Sequence, residues 1–320
     1  MRINPNMTQL AAMVVLCGMA VPYTAFAEDV VPETVPASEL MALTGLDVSF
    51  DQFGAQIAAV AQDRQLSMDS RFVEAWEAAV ASTFDAEGMM TALRDILATR
   101  EVSVADQQAM AEFYASDLGK KVHELESAVA TLPPEAAIAA IEGGARLYAT
   151  MPPDRLAQYD RLWDTMREGS RALGTEMMRP VLRGITILLG ADPLASPCRC
   201  DLDTAIDAMM PPTLFAMEQQ ERARLAFVYQ GLSDDEFEAY LTFLEGPAGT
   251  NFSIVATDAM ADVIRAEMQR FVAALEERRP DVSAAQYQAV RYCGVGPGPA
   301  HGVAVLDALA GLSQNGSTQS

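Results

Sequence analysis

Apolar residues recur along this chain at helical spacing, and no stretch sustains the alternation of a strand. Ser38 predicts a cap for a short helix ending at Gly45, and Ser49 one for a helix whose Phe50, Phe53, Ile57 and Val60 share a face. Ser70 opens a third, with Phe72, Trp76, Val80 and Phe84 on one stripe, and Met89, Met90, Leu93, Ile96 and Leu97 mark a fourth. An alanine-rich helix fits between Pro133-Pro134 and Pro152-Pro153, and another between Leu214 and Tyr229, with Gly231 as its stop. Phe252, Val255, Ala259, Val263, Ile264, Phe271 and Leu275 predict a long helix ended by Pro280, and a last one spans Val282 to Tyr292. The expected fold is all-α, with helices of ordinary length packed as two related bundles.

One stretch occurs twice. Phe113-Tyr114-Ala115-Ser116-Asp117-Leu118-Gly119 is echoed 130 positions later by Phe243-Leu244-Glu245-Gly246-Pro247-Ala248-Gly249, each copy lying between two helical runs. Before the second copy, Ser233-Asp234-Asp235-Glu236 has the form of a capping box, and Phe237, Tyr240, Leu241 and Leu244 make a buried stripe. That helix is predicted to stop near Glu245, because proline disfavours a helical residue before it and suits the first turn of the next helix. In the first copy Ser103 caps, the helix runs to Tyr114-Ala115, and Ser116 caps the next one with Asp117 at its positive end. Gly119 and Gly249 fall in the following first turn, where a missing side chain lets the preceding helix approach closely.

Phe113, Tyr114, Ser116, Gly119, Lys120 and Lys121 resemble the signature Phe-Tyr-x-Ser-x-x-Gly-Lys-Lys of the bacterial family catalogued as domain of unknown function 2059. Members usually read Ser-Pro-x-Gly at the turn. Here Ser116 lacks the proline, Pro247 lacks the serine, and Thr250-Asn251 stand where the second pair of lysines belongs. The resemblance covers two stretches of roughly 50 to 60 residues. It implies an all-helical, exported bacterial protein and carries no activity.

The amino terminus reads as a secretory signal peptide over residues 1–27. Arg2 is its only charge, Leu10 to Met19 is apolar, and Ala25-Phe26-Ala27 is a small-x-small cleavage site. Cys17 follows Leu16, where a lipoprotein processing site carries a small residue. Residues 28–37 form an extended linker, 38–142 a first helical unit, and 143–279 a second with an insertion near 180–212. Leu156 to Tyr159 echo Phe50 to Phe53 at a shorter offset, which is what locates that insertion. The C-terminal helix and a loose tail rich in Gly, Pro and Ser fill 280–320. No later run is long and apolar enough to span a bilayer; the best, Val181 to Leu194, is broken by Arg183, Gly184, Gly190 and Asp192. The expected location is the periplasm, with release outside the cell as the alternative.

Charge and chemistry narrow the function. A net charge of -22 disfavours nucleic acid and anionic lipid as partners, while a hydrophobic fraction of 50% supports a packed core. Cys198, Cys200 and Cys293 are the disulfide candidates. A Cys198–Cys200 bridge would be strained, so Cys293 is expected to pair with either one and clip the insertion to the last helix, leaving one thiol over. Cys198, Cys200, Met209, Met210 and Met217 form a soft-ligand set, but the methionines sit in apolar helical runs and read as packing. His123-Glu124 begins like a zincin motif, yet Ser127 holds the second histidine position, and His123 is expected on a helix surface. Asp234-Asp235-Glu236 and Glu277 read as caps and solvated faces, and Gly143-Gly144 as a weak point in a helix. No catalytic residue, metal site or cofactor emerges. The expectation is a non-enzymatic envelope interaction module whose partner is another envelope protein; the competing one is a small-molecule binding protein or enzyme with a pocket between the units.

Overall fold

A computed structural model describes residues 34–46, 50–62, 70–130, 132–188 and 199–278. Among these the chain forms eleven α-helices, two short 3-10 helices and no strand. The first five α-helices are α1 (Ala37–Leu43), α2 (Phe53–Ala59), α3 (Ser70–Thr83), α4 (Ala86–Thr99) and α5 (Val104–Ala115). They are followed by α6 (Asp117–Ala130), α7 (Pro134–Ala149), α8 (Pro153–Leu188), α9 (Arg199–Val228), α10 (Asp234–Glu245) and α11 (Pro247–Glu277). Val60–Gln62 and Tyr229–Gly231 are the 3-10 turns. The signal peptide, the linker up to Glu33 and the C-terminal helix and tail lie outside the described residues.

Local chemistry explains most boundaries. Gly45, at φ 69°, supplies the left-handed residue that ends α1. That helix starts at Ala37, one residue before the expected Ser38 cap, with Pro36 in the capping position and no side-chain cap. The expectation of ordinary lengths is corrected at three helices: α8, α9 and α11 have 36, 30 and 31 residues. Pro180 lies inside α8, and Pro211 and Pro212 lie inside α9, so the ends of the stretch near 180–212 that reads as an insertion are helical. An internal proline costs a helix about 3 kcal/mol. Burial of Met177, Met178, Val181, Ile206, Met210 and Met217 around these points outweighs that cost.

At 1.5 Å per residue α8 is about 54 Å long, enough to serve two cores. In the first core, helices α1 to α5 pack on the C-terminal half of α8, the N-terminal half of α9, and α11. Its centre is Trp76, which stacks on Phe72, meets Phe271 edge-on at 4.9 Å, and donates to the Ile57 carbonyl at 2.7 Å. The second core joins α6, the N-terminal half of α8, the C-terminal half of α9 and α10, around Trp163 and Phe237. Arg179–Asp207 and Arg222–Asp160 pairs fix α8 and α9 as antiparallel, whereas Glu176–Arg265 and the Gly184–Leu275 contact make α8 and α11 parallel. The boundary expected at residues 142–143 falls inside α7, and both cores draw helices from either side of it.

Gly143-Gly144 is a contact point, not a weak one: a Cβ on Gly144 would lie 1.8 Å from the Ala223 carbonyl oxygen. The missing side chain lets α7 rest directly on the α9 backbone. No helix of the described residues is long and apolar enough to cross a membrane.

Candidate functional site

Both copies of the sequence motif sit where the two cores meet. Helices α5 and α10 begin 130 residues apart, as do α6 and α11. Ser103 accepts from the Asp106 amide at 3.1 Å, and Ser233 forms the full capping box with Glu236. At the breaks Ser116 and Gly246 adopt nearly the same extended conformation, φ -68° and ψ 161° against φ -70° and ψ 164°. Ser116 Oγ then accepts from the Gly119 amide at 3.0 Å, while Pro247 fills the first position of α11, where no donor is needed. Gly119 and Gly249 face the preceding carbonyls: an added Cβ would lie 2.0 Å from Phe113 O and 2.6 Å from Phe243 O.

The two turns face each other. Phe113 and Phe243 stack with ring centroids 3.7 Å apart and planes 6° from parallel, and both side chains pack against both cores. Tyr114 meets Phe243 edge-on at 6.3 Å, and Phe113 stacks on Tyr240 at 5.9 Å. Polar contacts are exchanged across this seam. Lys121 Nζ reaches the Glu236 carboxylate at 2.7 Å, and Asn251 Nδ2 donates to Asp106 Oδ2 at 3.0 Å. Positions 121 and 251 are 130 apart, and so are positions 106 and 236, which is the reciprocal pattern of an isologous interface. Asn251 thus makes the contact that a lysine makes in the first copy.

Beside this seam is a carboxylate with unusual company. Glu126 Oε1, on α6, accepts from Tyr229 at 2.5 Å and from Tyr240 at 3.0 Å, and the two hydroxyls lie 3.3 Å from each other. Glu126 as a residue is part-buried, with its Oε1 closed off by the two tyrosine hydroxyls. That enclosure raises its pKa above the usual carboxylate range, against the opposing pull of the two tyrosine bonds, Arg224 and His123. Burial and the nearby Glu126 charge push Tyr229 and Tyr240 well above the usual phenol range. His123 is buried, with 7% exposure, which corrects the expectation of a surface position. It shares the inward face of α6 with Val122 and Val129.

A second polar cluster holds α10 against α8. Arg155 donates to the carbonyls of Tyr229, Leu232 and Ser233 and to Asp234 Oδ1, with its guanidinium 4.3 Å from the Phe237 ring centre. Arg161 forks between Glu238 and Glu245. Neither arginine stands out in the sequence; Glu126 is equally inconspicuous, although Tyr240 lay on a recognisable stripe.

The remaining candidates separate. Met210 and Met217 are buried in the first core, and no group of three or more His, Cys, Asp or Glu among the described residues is placed to hold a metal. Cys200 lies in the first turn of α9, while Cys198 and Cys293 fall outside the described residues. A recess of about 250 Å³ opens elsewhere, beside Val35, Leu40, Leu97, Arg100, Gln107 and Phe252. No protein-family model, no curated protein and no solved structure matches the chain.

Proposed function

We propose that this chain is a non-enzymatic interaction protein, exported to the periplasm through a cleaved signal peptide and built on a duplicated helix-turn-helix. The duplication is supported by the equal spacing of the two helix pairs and the reciprocal Lys121–Glu236 and Asn251–Asp106 contacts. The resemblance to the family of unknown function 2059 belongs to the same proposal, as does a disulfide from Cys293 to Cys198 or Cys200. One observation carries the functional reading: Lys121 with Glu236, and Glu126 with Tyr229 and Tyr240, are bonded to each other across helix seams, whereas Phe215 and Ile254 stay 55% and 56% exposed. Phe215 and Ile254 are the side chains that this reading assigns to contact with another envelope protein.

The competing reading, a small-molecule site or enzyme between the cores, draws on Glu126, whose raised pKa and tyrosine partners are features of functional carboxyls. Pulldown from envelope extracts separates the two. Phe215→Ser and Ile254→Ser leave both cores intact and are expected to abolish capture of a specific protein, while Glu126→Gln leaves it unchanged. Capture that survives both surface changes and is lost with Glu126→Gln reverses the assignment.

A further inference from the structure

Pro211 and Pro212 stand inside α9, and both are exposed, as are Ala208 and Phe215. The four positions follow the i, i+3, i+4, i+7 spacing of one helix face, so they form an apolar strip about 10 Å long, with Phe215 55% exposed at one end. Core packing accounts for the methionines beside these prolines and not for the prolines themselves, which a helix interior ordinarily excludes.

The prolines also alter the backbone under the strip. A helical carbonyl accepts from the amide four residues on, or three residues on in a 3-10 turn. Pro211 therefore takes away the α-helical donor of Asp207, and Ala208 loses both of its donors, at Pro211 and Pro212. These carbonyls point along the helix axis at the rings that replaced their donors, which sets them between the side chains of the strip. The next one, Met209 O, receives the Thr213 hydroxyl at 2.8 Å. The arginines that α8 sends to this stretch are already paired, Arg179 with Asp207 at 2.6 Å and Arg183 with Asp203 and Glu276. Water serves the two carbonyls in the free chain. Whatever covers Phe215 and the prolines expels that water and must replace it with donors, because a carbonyl buried without one is penalised.

We propose that the strip of Ala208, Pro211, Pro212 and Phe215 is the docking site for a basic partner protein, whose apolar groove carries arginine or lysine side chains that donate to the carbonyls of Asp207 and Ala208. The proposal rests on the reading of Phe215 as a contact residue. A net charge of -22 attracts such a groove and favours charged donors over neutral ones. A second copy of the chain does not fit: two equal strips would set bare carbonyl against bare carbonyl, between molecules of like charge. Nor does a bilayer, since anionic headgroups are repelled and a strip of four residues is too small to anchor among acyl chains.

Photo-crosslinking on the full chain tests this, with p-benzoylphenylalanine replacing exposed Gln219, one turn beyond Phe215, or exposed Ser253, beside Ile254, and irradiation in envelope extract. The expected result is one protein adduct from position 219, whose mapped peptide joins apolar residues to arginine or lysine. Phe215→Ser is expected to lower its yield roughly tenfold, and so is the double change Pro211→Val with Pro212→Val, which keeps apolar bulk and returns both amide donors to the helix. The double change also raises Tm, since valine suits a helix better than proline, so its weaker capture is not a loss of folding. An adduct with the chain itself, with lipid or with a peptide lacking basic residues would overturn the proposal, as would an unchanged yield in the proline double variant. A specific partner captured from position 253 with none from 219 would overturn the strip and leave the interaction reading standing; none from either position would overturn both.

Discussion

Replacing Gly119 by alanine puts the close approach of α5 and α6 to a test of sign. In an ordinary helical position the change stabilises by up to about 1 kcal/mol, because alanine is the better helix former. Here the added Cβ would lie 2.0 Å from Phe113 O and 2.7 Å from both Phe113 C and Tyr114 Cα, all backbone atoms. Carbon–oxygen contacts settle beyond about 3.3 Å, so the two helices must part by about 1 Å. Overpacking of that kind costs about 1 to 3 kcal/mol, and parting two helices that also hold the Phe113 stack lies at the upper end. The expected net loss is about 2 kcal/mol, or roughly 3 to 4 °C in Tm for a chain of this size. Gly249→Ala meets Phe243 O at 2.6 Å and Leu244 Cα at 2.8 Å, so its expected loss is smaller, about 1 kcal/mol. Gly231→Ala, whose nearest contact is a flexible Leu125 methyl at 3.5 Å, serves as the control and is expected to be neutral or slightly stabilising. Urea unfolding followed by tryptophan fluorescence suits the series, since Trp76 reports the first core and Trp163 the second. A Gly119→Ala protein as stable as the parent, or the reverse order at 119 and 249, would refute the close-approach reasoning.

Arg155→Ala removes four bonds to the turn before α10 and the stack on Phe237; a loss of about 2 to 4 kcal/mol is expected in urea titration, with little recovery in Arg155→Lys, which cannot fork between carbonyls. Ser233→Ala dissolves the capping box and is expected to cost about 1 kcal/mol, matched within a few tenths by Ser103→Ala at the equivalent cap. Mass spectrometry of the non-reduced mature protein is expected to show a chain starting at Glu28 with one bridge and one free thiol; three free thiols would remove the proposed disulfide.

Where structure is local, the sequence spoke clearly. Ser103, Ser116, Ser233 and Gly246-Pro247 each act within four residues of themselves, and the bounds of α5 and α10 follow from them. The close approach at Gly119 and Gly249 was likewise readable, because only the preceding turn is involved. Tertiary burial hid the rest. Pro180 reads as a breaker, yet α8 passes through it because Met177, Met178 and Val181 are buried in the first core. His123 looked solvated because the core that takes up α6 is completed by residues from Tyr159 to Leu241, beyond the reach of any local pattern. Glu126 meets Tyr229 and Tyr240 across separations of 103 and 114 residues, which no local pattern encodes.

Everything above depends on the two helix-turn-helix pairs packing on each other through equivalent residues, and the Phe113–Phe243 stack is where they touch. A double-mutant cycle with Phe113→Leu, Phe243→Leu and both together, read by urea unfolding, measures that contact with the separate losses of each ring cancelled. The account predicts a coupling of about 0.5 to 1.5 kcal/mol. Additive single losses, with no coupling, would contradict it.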